Sequence, residues 1–587
     1  MGKTVWAVLV ACALAMPARG ETVTVAIDAA DKQAGIWAEM LEDRKFYFPV
    51  TAEYAPYRSL QDTDYPVVGA SPWQIIGADD SVTMVEEDSF VGDHTPQIAV
   101  GSGLRQRDLG VVKGRKYVGY VWLKSAGDGQ GEVGVALHTG DLDAEPAGEE
   151  RISGVGAEYS RHEFEFTADD STDHAALEIR VRGEHPVLIG TVSLMPADNV
   201  RGVRADTLKL LKELDAPLYR WPGGNFVSGY DWRDGIGDRD RRPPRKNPAW
   251  TGVEHNDVGI DEFIDFCREV GAEPMIAANT GFGDDYSAAQ QVEYANASTD
   301  TIGGSWRAKN GHPEPYNVKY WCVGNEMFGD WQLGFMRREH YSLKNNLVAR
   351  AMRRVDPNLV LVGVGDLGDP TSRRSWSRGM LQDSRQYMDM ISEHFYQGRT
   401  PWGGPPPEEV PKYVALLKNS IREKADGHRK LQAELGIKPD NIIPIAMDEW
   451  NYWHRDYVFG ELGCHYDLAD ALGVAAGLHE YFRQSEIIPI ANYAQTVNVI
   501  GCIKTTKTDA FLDTTALPLM LYRKHFGETP VAVSGDFGER ELDVVAALDG
   551  DALTVAVVNP YPEPVTLNLQ VAGVNAASSG RQWVVAG

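Results

Sequence analysis

The sequence predicts an α/β chain: a (β/α)8 TIM barrel with a β-sandwich inserted before it and a C-terminal β-sandwich after it. Three observations carry this. Between about Ala205 and Phe526, short apolar runs alternate with amphipathic helical patterns, as βα units do. No glycine-rich phosphate loop follows the first of these strands, so a closed barrel fits better than an open doubly wound sheet. On either side the texture changes to short alternating runs broken by Gly and Asp, the signature of sandwiches.

The elements follow in order. Residues 1–20 read as an export signal: Lys3 gives the positive start, Val5 to Met16 the apolar stretch, and Ala18-Arg19-Gly20 the small residues of a cleavage site before Glu21. Leu9-Val10-Ala11-Cys12 offers a lipoprotein site as the lesser alternative. Residues 21–65 form an N-terminal segment in which Thr22 to Ile27 has strand period and suits the terminal sandwich. Residues 66–196 form the inserted, carbohydrate-binding-like sandwich, where Trp73 and Trp122 are stacking candidates beside the plainer alternative of core packing. Residues 197–526 are the barrel, with strands expected at Pro217–Trp221, Glu273–Asn279, Val318–Gly324, Leu359–Gly363, Met388–His394, Ile442–Met447 and Ile487–Tyr493. The remaining strand, first in order, has to come from before residue 60. Ile260, Phe263, Ile264, Cys267 and Val270 mark one helix, ended by Gly271, and Leu343, Leu347, Val348, Ala351, Met352 and Val355 mark another before Pro357. Residues 527–587 alternate again, including the run Val565, Leu567, Leu569 and Val571.

Composition narrows the function. Lys plus Arg number 57 against 84 Asp plus Glu, a formal net charge of -27, so nucleic acid and anionic membrane are repelled and a neutral partner is favoured. No apolar run reaches the ~20 residues that span a bilayer. Of Cys12, Cys267, Cys322, Cys464 and Cys502, none has zinc-like spacing, so buried thiols are expected after cleavage rather than a metal site or a disulfide framework.

Chemistry concentrates where apolar strands end in polar residues. Tyr320-Trp321-Cys322-Val323-Gly324-Asn325-Glu326 and Ile445-Ala446-Met447-Asp448-Glu449-Trp450-Asn451 each deliver a carboxylate at the mouth end of a strand, the fourth and seventh when eight are counted. Two carboxylates across a barrel mouth suit glycoside hydrolysis, one as acid and one as nucleophile or base; two unrelated capping or ion-paired acids are the alternative. Arg220-Trp221-Pro222-Gly223-Gly224-Asn225-Phe226 closes an earlier strand with donors at Arg220 and Asn225, His394-Phe395-Tyr396 brings an imidazole and a phenol, and Ala494-Gln495-Thr496-Val497-Asn498 brings an amide. Each of these alone reads equally as a turn or a satisfied buried polar group.

Together and in this order, WPGGNF, VGNEM, HFY, DEWN and AQTVN resemble the α-L-arabinofuranosidases of glycoside hydrolase family fifty-one, from Val192 to about Val571. The resemblance implies retaining hydrolysis without metal or cofactor, releasing terminal α-L-arabinofuranosyl residues from plant polysaccharides or oligosaccharides. It makes Glu326 the general acid and then base, and Glu449 the nucleophile. Asn325 would bind the hydroxyl beside the reacting carbon, Tyr396 would orient the nucleophile, and Arg220, Asn225, His394, Trp453 and Gln495 would complete the pocket. Such an acid needs a raised pKa, which an ionised neighbour helps supply. The resemblance also exposes two departures. The family's first barrel strand, with its sugar-binding glutamate, is missing between Ile27 and Met40, and Glu39 belongs by its neighbours to the following segment. The chain stops at Gly587, soon after Trp583-Val584-Val585, where family members continue to close the sandwich. The competing functions are a related enzyme acting on β-glucan or β-xylan, and a weakened sugar-binding relic. A homo-oligomer is left open.

Overall fold

The computed structural model describes residues 7–13, 35–59, 66–142, 148–250, 252–368, 375–398, 405–406, 408–454, 463–535, 542–571 and 579–586. Seven parallel strands form the central sheet in chain order: β1 (Leu218–Trp221), β2 (Glu273–Ala277), β3 (Tyr320–Val323), β4 (Val360–Gly363), β5 (Met390–Gln397), β6 (Ile445–Tyr452) and β7 (Ile490–Tyr493). Helix α1 (Ala205–Leu214) precedes β1, and α2 (Ile260–Val270), α3 (Asp285–Asn296), α4 (Ile302–Lys309), α5 (Arg338–Val355), α6 (Trp376–Asp383), α7 (Val410–Glu434), α8 (Leu468–Arg483) and α9 (Ala516–His525) fall between and after the strands. This is a nearly closed TIM barrel: among the described residues no ladder joins β1 to β7. Because α1 precedes β1, a complete barrel would draw its first strand from before α1. Residues 14–34, including the expected Thr22 to Ile27 strand, lie outside the described residues.

Strands covered on both faces carry apolar side chains to both, as Met275–Ala277, Trp321–Val323 and Leu361–Val362 do here. Met275, Ala277, Cys322, Val362 and Ala446 form one cluster inside the barrel. Their neighbours Ile276, Trp321, Val323 and Leu361 pack outward with Phe263 and Ile264 of α2 and Val348 and Met352 of α5. Helix α2 starts where Glu262 accepts the Gly259 N–H at 2.8 Å and stops at Gly271, whose φ of +76° suits glycine. Helix α5 shows the expected period with a shifted phase. Leu343 and Leu347 are exposed, whereas Tyr341, Asn345, Val348 and Met352 are buried. The shift follows from Tyr341, whose hydroxyl donates to the Val323 carbonyl and accepts the Val364 N–H, so a polar residue turns towards the barrel.

Before the barrel, two five-stranded antiparallel sheets enclose a core that includes Leu104, Val121, Leu123, Val135, Leu177, Ile179, Val187 and Ile189. Of the two tryptophans proposed for sugar stacking, one is buried in the core and the other is half-buried and tied to the barrel region. Trp73 is 1% exposed, with its indole N–H on the Asp43 carbonyl at 3.1 Å. Trp122 donates to Asp240 of the barrel region at 2.8 Å and lies beside Phe90. That junction is built of charge. Arg44 pairs with Asp240 at 3.0 Å and Asp257 at 2.6 Å, and Lys45 pairs with Asp257 at 2.8 Å.

The last sheet runs Thr529–Val531, Asp543–Asp549, Ala552–Asn559, Ala7–Ala13, Arg581–Ala586. Ala7–Ala13 lies within the apolar run read as an export signal, and here it pairs in parallel with strands on both sides. An apolar segment too short for a bilayer is long enough for a strand with two partners. The alternating run from Val565 to Val571 forms no strand, and Val565, Leu569 and Val571 are exposed. Among the described residues no helix is long and apolar enough to cross a membrane, and Cys267, Cys322, Cys464 and Cys502 are buried free thiols.

Candidate active site

Polar side chains gather at the C-terminal ends of β1, β3, β5 and β6. Arg220 comes from β1 itself. Gly324 follows β3 at φ +100°, where a Cβ would fall 2.0 Å from Thr280 Oγ1, and Glu326 two residues on holds φ +40°. A non-glycine residue in this region costs energy and marks sites where a side chain must be aimed. β5 and β6 run further than the apolar pattern indicated, so Tyr396 and Glu449 join His394 within strands, and His394 is opposite Glu449 in register. The ladders shift between Ser392 and His394 and between Met447 and Trp450. Such irregularities re-aim side chains beside active sites.

The result is one connected network. Arg220 donates through Nη1 to Glu449 Oε1 at 3.0 Å and through Nη2 to Asn325 Oδ1 at 2.6 Å. Tyr396 donates its hydroxyl to Glu449 Oε2 at 2.8 Å, and Trp453 meets the Tyr396 ring edge-on at 5.1 Å between centroids. His394 Nδ1 lies 2.8 Å from Glu326 Oε1, and the Trp331 indole donates to Glu326 Oε2 at 2.7 Å. Asn225 spends its amide on the loop, donating to the Trp331 carbonyl at 2.8 Å and accepting the Leu333 N–H at 2.7 Å. Gln495 is exposed beyond β7. Glu39 is far from this group in partners: it accepts Ser193 Oγ at 2.6 Å and the Leu194 N–H at 3.0 Å, against the sandwich.

One oxygen each of Glu326 and Glu449 and a ring nitrogen of His394 lie within 4.8 Å of one another. Three such ligands could converge on a cation. Both oxygens of each carboxylate, however, already face N–H or O–H groups from Arg220, Tyr396, His394 and Trp331, so hydrogen-bond donors already compensate the charge a cation would meet.

Three residues escaped the sequence reading. Asp448 sits beneath the pair, its carboxylate 3.1 Å from His394 Nε2 and 3.2 Å from Arg220 Nε. Trp331 and Gln332 follow Glu326 in the loop, and Gln332 accepts the Asn325 amide at 3.2 Å. Strand alternation puts Asp448 and Glu449 on opposite faces; only the ladder shift in β6 turns both into the network. Nothing in the sequence marks Trp331.

Electrostatics corrects one expectation. Burial alone would raise the Glu326 carboxyl, but His394 and the Trp331 indole outweigh it and hold Glu326 below the usual range rather than above it. Burial would lower His394, yet Glu449, Asp448 and Glu326 lift it well above the usual imidazole value. Burial would likewise raise Asp448, and Arg220 and His394 bring it down to about 2. Burial and the neighbouring Glu449 push the Tyr396 phenol up, so it stays a donor.

A TIM barrel with two carboxylates converging at its mouth defines a glycoside hydrolase of the carboxylate-pair class. The comparisons narrow this. Residues 210–404 match the model of the α-L-arabinofuranosidase 1 domain, and residues 448–587 match that of the α-L-arabinofuranosidase C-terminal domain. The probable α-L-arabinofuranosidase C of Aspergillus flavus is 37% identical over 402 residues, 63% of this chain and 78% of that protein. The α-L-arabinofuranosidase of Thermotoga maritima, solved with arabinose, is 37% identical over 61% of this chain and 76% of its own, with a TM-score of 0.56. The arabinose-bound MgGH51 enzyme shares only the fold, at 15% identity and TM-score 0.66, over 95% of this chain and 86% of its own. The chain belongs to the α-L-arabinofuranosidases of glycoside hydrolase family fifty-one.

Proposed function

We propose that this arabinofuranosidase is an exported, retaining enzyme that removes terminal α-L-arabinofuranosyl residues from plant polysaccharides or oligosaccharides. The carrying observation is the approach of Glu326 and Glu449 oxygens to within 4.8 Å. Retaining pairs stand roughly 5–5.5 Å apart, whereas inverting pairs leave about 6.5–9.5 Å for a water. Glu449, fixed by Arg220 and Tyr396, attacks the anomeric carbon while Glu326 protonates the departing oxygen. A water activated by Glu326 then opens the glycosyl ester. Once Glu449 is esterified its charge is gone, which favours Glu326 as base in the second step. Export rests on Lys3, the apolar stretch and Ala18-Arg19-Gly20; cleavage would remove the Ala7–Ala13 strand and leave its place in the terminal sheet to another segment.

A proton NMR time course on an aryl α-L-arabinofuranoside tests the mechanism, with the α-anomer expected as the first product; initial appearance of the β-anomer would refute retention. N-terminal sequencing of the enzyme recovered outside the producing cell should begin at Glu21, and an intact Met1 in the active, cell-retained protein would refute export.

A further inference from the structure

Resting on Glu326 as the acid, a second inference concerns how its proton is supplied. His394 is surrounded by carboxyls: Nδ1 lies 2.8 Å from Glu326 and 3.4 Å from Glu449, and Nε2 lies 3.1 Å from Asp448. A carboxylate can only accept. A neutral imidazole would therefore point a lone pair at one of these anions unless that carboxyl carried the proton itself. Asp448 is not the carrier. Its side chain is 1% exposed, and Oδ2 faces Arg220 Nε at 3.2 Å and the Cys322 thiol at 3.5 Å. The groups facing it are Arg220 from β1, Cys322 from β3, and Ser392 and His394 from β5. Burial alone would raise it, but Arg220 and His394 keep it an anion down to about 2. Nε2 accordingly keeps its hydrogen, and the mobile proton is confined to the contact between Nδ1 and Glu326 Oε1.

We propose that Asp448 is a positioning residue for the reaction: by holding the Nε2–H of His394 it makes Nδ1 the seat of the proton that Glu326 passes to the leaving oxygen. The bookkeeping closes. As the glycosidic C–O bond breaks and the Glu449 ester forms, the proton moves from Nδ1 through the Glu326 carboxyl to the departing oxygen. The aglycone leaves as an alcohol, and His394 is left neutral with its hydrogen on Nε2. In the second step water bonds to the anomeric carbon, the ester electrons return to Glu449, and the water's proton passes by Glu326 back to Nδ1. This supply explains how a carboxyl held low by its neighbours acts as an acid.

Asp448→Asn keeps the shape and removes the charge. The basic limb of its kcat/KM profile should fall by about one pH unit or more, the size expected for losing an opposite charge at this range. Its kcat should fall roughly tenfold further on an alkyl arabinofuranoside than on a nitrophenyl one, because only the poor leaving group needs the proton. An unshifted limb with equal losses on both substrates would overturn the proposal. Glu326→Ala on the same two substrates keeps the tests apart: no leaving-group dependence there would refute the acid assignment itself. A measurement on the unaltered enzyme guards against misfolding of the variant. In NMR of nitrogen-labelled histidine, with His394 assigned by comparison with His394→Gln, Nε2 should stay protonated across the active pH range while Nδ1 titrates. Loss of the Nε2 hydrogen first would overturn the proposal.

Discussion

At the junction between sandwich and barrel, Arg44 and Lys45 face Asp240 and Asp257, two cations against two anions. Every spare donor there is consumed: Lys45 also reaches the carbonyls of Arg239 at 2.7 Å and His255 at 2.6 Å, and Asp240 accepts Tyr120 at 2.7 Å and Trp122 at 2.8 Å. At the barrel mouth, Arg220 and His394 face three carboxyls, Asp448, Glu326 and Glu449. Both clusters are buried, so both need their partners. The balanced one pairs each charge with an opposite one and serves as a fastener. The unbalanced one has an excess of acceptors around an imidazole, so a proton is always shared and can be lent. The inserted sandwich enters the balanced cluster through Tyr120 and Trp122, which both donate to Asp240, and through Thr191 and the Val192 carbonyl, which accept from Arg44.

The difference can be broken first at the mouth. Glu449→Ala should lose turnover on the order of 10⁴-fold or more, as removal of a nucleophile does. Azide should restore activity and give an inverted glycosyl azide, since a small anion fits the vacated place; near-normal hydrolysis without azide would end the nucleophile assignment. Glu326→Ala comes next, with roughly 10²–10⁴-fold lost on alkyl arabinofuranosides and much less in the first step on nitrophenyl ones. Burst kinetics would show the slowed second step, and equal losses on both substrates would make Glu326 structural.

The junction should respond in stability instead. Asp257→Asn strips both Arg44 and Lys45 of a partner and should cost about 3–5 kcal/mol. Thermal inactivation should be faster, while kcat on nitrophenyl arabinofuranoside stays within about twofold, because the two clusters share no partner. A large fall in kcat with unchanged thermal inactivation would mean that the junction shapes the site.

The smallest effect comes from acid. Asp448 is held at about 2 by Arg220 and His394, and Glu178 in the sandwich at about 2 by His138, Arg105 and Arg180, in both cases against burial. A carboxyl whose folded value lies below its unfolded one lends stability above the unfolded value and loses it as pH falls through the folded one. Each should therefore contribute roughly 2–3 kcal/mol near neutrality. That contribution should disappear between about pH 4 and pH 2, and Glu178→Gln should flatten part of this loss in melting curves. An unchanged acid slope would refute the ion-pair account of Glu178.

The barrel strands, their helices, and Glu326 and Glu449 as the polar ends of apolar runs were legible because period and strand length are local properties of the chain. The phase of α5 was not, since Tyr341 turns inward only because backbone groups of β3 and its neighbour await it. Nor was the strand at Ala7–Ala13, whose place depends on partners more than 540 residues away in sequence, at Leu553 to Asn559. Asp448 stands beside the nucleophile, yet strand alternation alone puts the two on opposite faces, and the ladder shift in β6 turns both into the network. By itself, then, the sequence determined the repeating βα frame, the pair of carboxylates and the family. The tertiary structure decided which charges meet and where the shared proton rests, because contacts such as Arg220 with Glu449 join residues 229 positions apart and depend on the closing of the barrel.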